Sequence, residues 1–283
     1  MEDIIFNFRK ELQNLGYSKN AVNEYPKFVK KLLHYSKENP QKIKPKHIAN
    51  YHRYLQEKPK TRGIGKLSEA YIKSQLLAIK LFFEYLERTQ QINKNPFLLK
   101  VKTPQNKTRA TLTVEEIKIL YASCQNQLET TIIHLCYGCG LRRTEVQNLN
   151  IKDIHFSKKL LFIRKGKGKK RRVIPLTKSI TKDLKKYYVE SFQYRKKDQD
   201  SFLITPDGNR LLGNSIYNQF KKISKRNLLL KQQKICLHSL RHSIATHLLE
   251  NDMSVEMVRD FLGHDQLKTT QIYTKINHLK LKQ

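Results

Sequence analysis

The sequence predicts a mainly α fold in two domains, with a small antiparallel β-meander in the second. Three observations carry this reading. Apolar residues recur at helical spacing between Ile4 and Leu86. Residues 101–110 are polar and aperiodic, which marks a linker. Between Ile151 and Leu176 the texture changes to three short strand-like runs separated by turns rich in Lys and Gly. The boundaries drawn are residues 1–103 for a helical domain, 104–110 for the linker and 111–283 for the second domain.

Ile4, Ile5, Phe8, Leu12 and Leu15 stripe the first helix, which Gly16 ends. Ser18 caps the second, striped by Val22, Tyr25, Phe28, Val29, Leu32 and Leu33. A third centres on Ile48, Tyr51, Tyr54 and Leu55, and residues 58–65, with Pro59 and two glycines, form an exposed basic loop. Ser68 opens the longest helix, with Ile72, Leu76, Ile79, Phe83 and Leu86 on one face and Lys73, Lys80 and Arg88 on the other. In the second domain Thr113 and Glu116 make a capping box. A helix over about 128–138 stops at Gly138 and Gly140. The strands are residues 153–156, 160–163 and 172–175, with turns at 157–159 and 165–170. Helices return after Thr177, after Gly213, at 239–250, at 254–262 between Ser254 and Gly263, and around Tyr273.

Composition narrows the partners. A chain of 283 residues, 39% hydrophobic and 28% charged, has the make-up of folded soluble domains. Its formal charge of +32 attracts polyanions, so nucleic acid is the first partner to consider. Residues 1–105 hold 21 Lys and Arg against 9 Asp and Glu, and residues 106–283 hold 35 against 15, so both halves are expected to touch it. Lys73 and Lys80 are the candidate contacts of the first domain. A membrane partner is not expected, because no run approaches the ~20 apolar residues of a spanning helix. The Met-Glu-Asp start lacks the basic region of a signal peptide, and the expected location is the cytoplasm, on the nucleoid. Four cysteines give no disulfide framework. Cys136 and Cys139 form a C-x-x-C after His134, but no second ligand pair follows, so two small residues on a buried helix face are expected rather than a metal.

Chemistry concentrates in residues 238–273, which carry His238, Arg241, His264 and Tyr273. His238 and Arg241 stand three apart and share a helix face. A phenol held beside Arg and His suits covalent attack on a phosphodiester, because the cations stabilise the phenolate and the charged transition state. Taken singly, each of these residues reads better as an ordinary, partly buried side chain. Their order and spacing together argue otherwise.

Five boxes occur in order: residues 140–145 (GLRRTE), 166–176 (GKGKKRRVIPL), 238–242 (HSLRH), 262–264 (LGH) and 269–273 (TTQIY). Together they resemble the catalytic domain of tyrosine recombinases, the phage-integrase and Xer class. Residues 70–86 and 92–96 (INKNP) resemble that family's core-binding domain. The resemblance implies a two-domain DNA clamp, a helical core-binding (SAM-like) domain joined to an α+β catalytic domain, that recombines double-stranded DNA at specific sites. Arg142 and Arg241 would hold the non-bridging oxygens of the scissile phosphate, a task that suits a permanently charged, forked guanidinium. Glu145 would orient Arg142, the competing reading being a simple surface pair. Lys167 would be the general acid that protonates the departing 5′ oxygen. Lys165, Lys169 and Arg172 around it read as plain phosphate contacts. His238 and His264 would handle the phenol proton or bond the phosphate, while His242 and His247 read as packing residues. Tyr273 would be the nucleophile, leaving a 3′-phosphotyrosyl link that conserves the bond energy, so no nucleotide cofactor or metal is implied. Asp198 and Asp200 read as a solvated turn. The family assembles four protomers on two sites, so a homotetramer or pairing with a related recombinase is expected. The ten residues after Tyr273 leave docking of the tail in trans open. A type IB topoisomerase, or a DNA-binding factor without catalysis, are the alternatives.

Overall fold

The computed structural model describes residues 2–60, 63–100, 111–164, 171–233 and 235–263. The chain folds as two compact units, Met1–Asn106 and Lys107–Gln283. Among its described residues the first holds four α-helices: α1 (Glu2–Asn14), α2 (Lys19–Ser36), α3 (Pro45–Glu57) and α4 (Glu69–Arg88). The Ser18 hydroxyl accepts the Ala21 N–H and the Ser68 hydroxyl that of Tyr71, so both expected caps form. Gly16 takes a left-handed φ of 73°, which lets the chain reverse between α1 and α2. The stripes meet in one core of Phe8, Leu32, Ile48, Phe82 and Phe83, with Phe8 edge-on to Phe82 at 5.2 Å. Lys73 is half-buried on α4. Lys80 is exposed and pairs loosely with Glu84 at 3.6 Å, a contact weak enough to yield to a phosphate.

The second unit begins with α5 (Val114–Ala122), opened by the Thr113–Glu116 capping box. Asn126 caps α6 (Gln127–Ile133), and the sequence pattern runs on to residue 138. The structure instead winds His134–Gly138 as a π-helical turn, so the long helix read from the sequence divides in two. After α7 (Arg143–Gln147) come β1 (Ile154–His155), β2 (Leu160–Ile163) and β3 (Arg172–Pro175), antiparallel in the order β1-β2-β3. Leu161 pairs with Ile154 and Ile174, and all three point into the core. The first strand is shorter than its pattern, because Asp153 closes a turn by accepting the Asn150 N–H at 3.0 Å. The helices that follow are α8 (Lys178–Ser191), α9 (Gly213–Lys225), α10 (Leu228–Gln232), α11 (Leu237–Glu250) and α12 (Val255–Leu262). The five-residue α10 is too short to show periodicity, and the sequence does not predict it.

Cys136 and Cys139 are completely buried, and burial pushes both thiols up to about 12. They pack against the core as small apolar groups. His134 is held by the Tyr121 hydroxyl and by Asp183, each at 2.9 Å, and burial lowers its pKa. Among the described residues no three His, Cys, Asp or Glu side chains are grouped to hold a metal, and no helix is long and apolar enough to cross a membrane.

Candidate active site

The site is built on the C-terminal end of α12. The last carbonyls of a helix have no partner within it, and here three of them take one arginine each. Arg172 donates through Nε to the carbonyl of Phe261 at 3.0 Å, Arg241 through Nη2 to that of Leu262 at 2.6 Å, and Arg142 through Nη2 to that of Gly263 at 3.0 Å. The negative end of the helix dipole favours the cations there. Gly263 turns left-handed at φ 64°, ending α12 and releasing the chain toward His264.

One carboxylate joins the three guanidinium groups from the other side. Glu145 accepts from Arg142 Nη1 at 2.8 Å and from Arg172 Nη1 and Nη2 at 3.0 and 2.8 Å, and Arg241 Nη1 lies 3.9 Å away. Its second oxygen also accepts the Arg142 backbone N–H at 2.9 Å, which caps α7. The Glu145 side chain is 2% exposed, so the reading of a simple surface pair with Arg142 fails. Burial opposes its ionisation, yet the bonds and charge of Arg172, then the bonds from Arg142, outweigh it and hold the carboxyl at about 2.

Exposure separates the three arginines. Arg241 is 2% exposed and also donates to the carbonyl of Gly140, whose φ of 59° turns the chain from the π-helical turn into α7. The Arg172 side chain is 8% exposed, that of Arg142 23%. Three guanidinium groups around one carboxylate leave a local surplus of positive charge, and Arg142 opens it to solvent. An anion with several oxygens fits that surplus. His238, one turn before Arg241 on α11, is exposed, and its ring stands edge-on to His242 at 4.6 Å. His247 is buried, and its Nδ1 meets the Tyr137 hydroxyl at 2.9 Å, as a packing residue would.

Residues 110–280 match the phage integrase family, and residues 4–93 match its N-terminal SAM-like domain. The chain belongs to the phage integrase family. It is a tyrosine recombinase, an enzyme that cleaves and rejoins DNA in site-specific recombination. Tyrosine recombinase XerA of Pyrococcus horikoshii is 31% identical over 285 residues, covering 98% of this chain and 91% of the relative. Tyrosine recombinase XerD of Rickettsia bellii is 31% identical over 292 residues, covering 95% and 93%. Among solved structures, the XerA recombinase crystal structure aligns at a TM-score of 0.54 and 25% identity over 96% of this chain and 93% of that one. XerH bound to palindromic difH substrate, a post-cleavage complex, shares the fold at a TM-score of 0.74 and 24% identity over 97% and 81%. This membership favours a recombinase over the topoisomerase and the non-catalytic factor.

Of the residues singled out in the sequence, Arg142, Glu145 and Arg241 come together directly, and His238 stands one helical turn from Arg241. Lys167, His264 and Tyr273, with the phosphate-contact candidates Lys165 and Lys169, lie outside the described residues. Arg172 corrects the sequence reading. The sequence groups it with the plain phosphate contacts, yet its fork is taken up by Glu145 and Phe261 inside the site. The strand pattern holds the clue, because Arg172 alternates in phase with the buried Ile174. A second missed pair is Glu129 with Arg226, where a buried carboxylate ties the start of α6 to the end of α9.

Proposed function

We propose that this recombinase cleaves duplex DNA through attack by Tyr273, with the scissile phosphate bound at the surplus of positive charge around Glu145. The observation that carries the reading is the convergence of Arg142, Arg172 and Arg241 on one buried carboxylate and three helix-end carbonyls. Arg142 and Arg241 take the non-bridging oxygens, as fixed donors where charge develops in the transition state. His264 follows Gly263 in sequence, and His238 precedes Arg241 by one turn; they handle the phenol proton or bond the phosphate. Lys167, five residues before β3 in the sequence, protonates the 5′ oxygen as it leaves. The phosphorus–oxygen bond to that oxygen breaks as the bond to the Tyr273 oxygen forms, which leaves a 3′-phosphotyrosyl link and a free 5′-hydroxyl. Attack by another 5′-hydroxyl reverses the step and rejoins the strand. Both basic halves engage the duplex, Lys73 and Lys80 from the first, Lys165 and Lys169 from the second. Recombination takes place between two sites held by four protomers, on nucleoid DNA in the cytoplasm, and serves integration, excision or dimer resolution.

The test begins by sequencing DNA recovered with the protein to locate its cleavage junction, then building a nicked duplex on that junction. Arg142→Ala should bind this duplex with a modest loss of affinity, while covalent adduct formation falls by about 10²–10³-fold or more. Adduct formation at the wild-type rate would overturn the proposal.

A further inference from the structure

We infer that Arg172 is a positioning residue for the cleavage step, setting Glu145 and through it Arg142, and anchoring the end of α12 from which His264 follows. The inference deepens the phosphodiester reading above and rests on it. Arg172 spends Nε, Nη1 and Nη2 on protein acceptors, two on Glu145 and one on the Phe261 carbonyl. With its side chain 8% exposed, little of the fork remains for a phosphate. Its contacts join three separate pieces of the site: the start of β3, the N-terminus of α7 at Glu145, and the last turn of α12. The fit is close. A Cβ at position 263 would stand 3.1 Å from both Cδ and Nη1 of Arg172, so glycine there answers the approach of this side chain as well as the left-handed turn.

The arrangement divides the labour among the arginines. Glu145 is faced by Arg142 from the cap of α7, Arg172 from β3 and Arg241 from α11, and Lys152, Asp153, Arg164 and Arg210 line the cavity beside it. Among the described residues, Arg172 alone bonds both carboxylate oxygens through its side chain. It therefore fixes the plane of the carboxylate, and one oxygen of that plane then orients the Arg142 guanidinium. Without Arg172, Glu145 keeps a single side-chain donor within hydrogen-bond distance among the described residues, and its carboxyl moves back toward the ordinary range. Protonated Glu145 grips Arg142 weakly, so cleavage acquires an acid limb at higher pH.

The full chain carrying Arg172→Lys or Arg172→Gln, with Arg142→Ala as control, tests this on the nicked duplex. Binding is measured against salt concentration, and single-turnover adduct formation against pH. The expected result is an unchanged slope of log affinity against log salt. Adduct formation slows about tenfold to a hundredfold at neutral pH, the scale of a small misplacement of a reacting group. The acid limb moves to higher pH, and Lys keeps more activity than Gln. A slope shallower by about one, with the rate per bound complex unchanged, makes Arg172 a phosphate contact and overturns the inference. A slower rate with an unmoved acid limb in both variants makes it merely structural and also overturns it. If Gln does not fold, Lys, which keeps the charge, still reads the cleavage rate and the acid limb, and wild-type values of both overturn the inference. Wild-type behaviour of the Arg172 variants beside an inactive Arg142→Ala defeats this inference alone, whereas an active Arg142→Ala defeats the phosphodiester reading.

Discussion

At the scale of single residues, Glu145 decides the character of the site. Three guanidinium groups buried together would repel one another, and the carboxylate between them makes the cluster tolerable. Breaking a buried ion pair by removing one partner costs about 3–5 kcal/mol, so Glu145→Gln should lose stability on that order at pH 7, read by urea denaturation. The pH dependence has a definite sign. Folding holds the Glu145 pKa at about 2, below its ordinary value of 4.5, so its stabilising contribution is complete above the ordinary value. It fades as pH falls from about 4.5 toward 2, and the gap between wild type and Glu145→Gln should narrow over that interval. The family resemblance implied the partnership of Glu145 with Arg142, a local relation between residues three apart at a helix start. It did not find Arg172, because that contact depends on how a strand packs against a helix end. Alternation with Ile174 was visible, but the surrounding run of lysines masked it as one more surface cation.

At the scale of elements, the end of α12 and the turn at Gly140 hold the arginines in place. Gly140 combines a φ of 59° with close packing, since a Cβ there would lie 2.8 Å from Leu262 Cδ2 and 3.1 Å from Phe261 Cε1. Gly140→Ala should lose about 1–2 kcal/mol for the left-handed conformation alone, with a further loss as Leu262 is displaced. Because the Gly140 carbonyl accepts from Arg241, adduct formation on the nicked duplex should also fall. Stability at the wild-type level, read by urea denaturation, would contradict the account of this turn. The glycines and caps that bound these elements were legible, at Ser18, Ser68, Thr113, Ser254 and Gly263, because capping chemistry is written within four residues. The π-helical turn at His134–Gly138 was not, since its register change comes from packing and leaves the apolar period intact. The same holds for α10, which is shorter than two turns.

At the scale of the whole molecule, the formal charge of +32 and the two basic halves agree with a family that acts on DNA. The five boxes in register along the chain were the strongest sign of that family, because no single one is specific. They name the groups but not their geometry. The structure adds that Arg142 and Arg241, far apart in the sequence, share one carboxylate and one helix end. The central claim is that this cluster serves attack by Tyr273 on a phosphate. The direct measurement is to trap the covalent complex on the nicked duplex, digest it with trypsin and identify the peptide joined to DNA. The account predicts a 3′-phosphate linked to the peptide spanning residues 269–275, through Tyr273, and no adduct from Tyr273→Phe, which still binds the duplex. A DNA-linked peptide from any other part of the chain, or an adduct that survives in Tyr273→Phe, would contradict it.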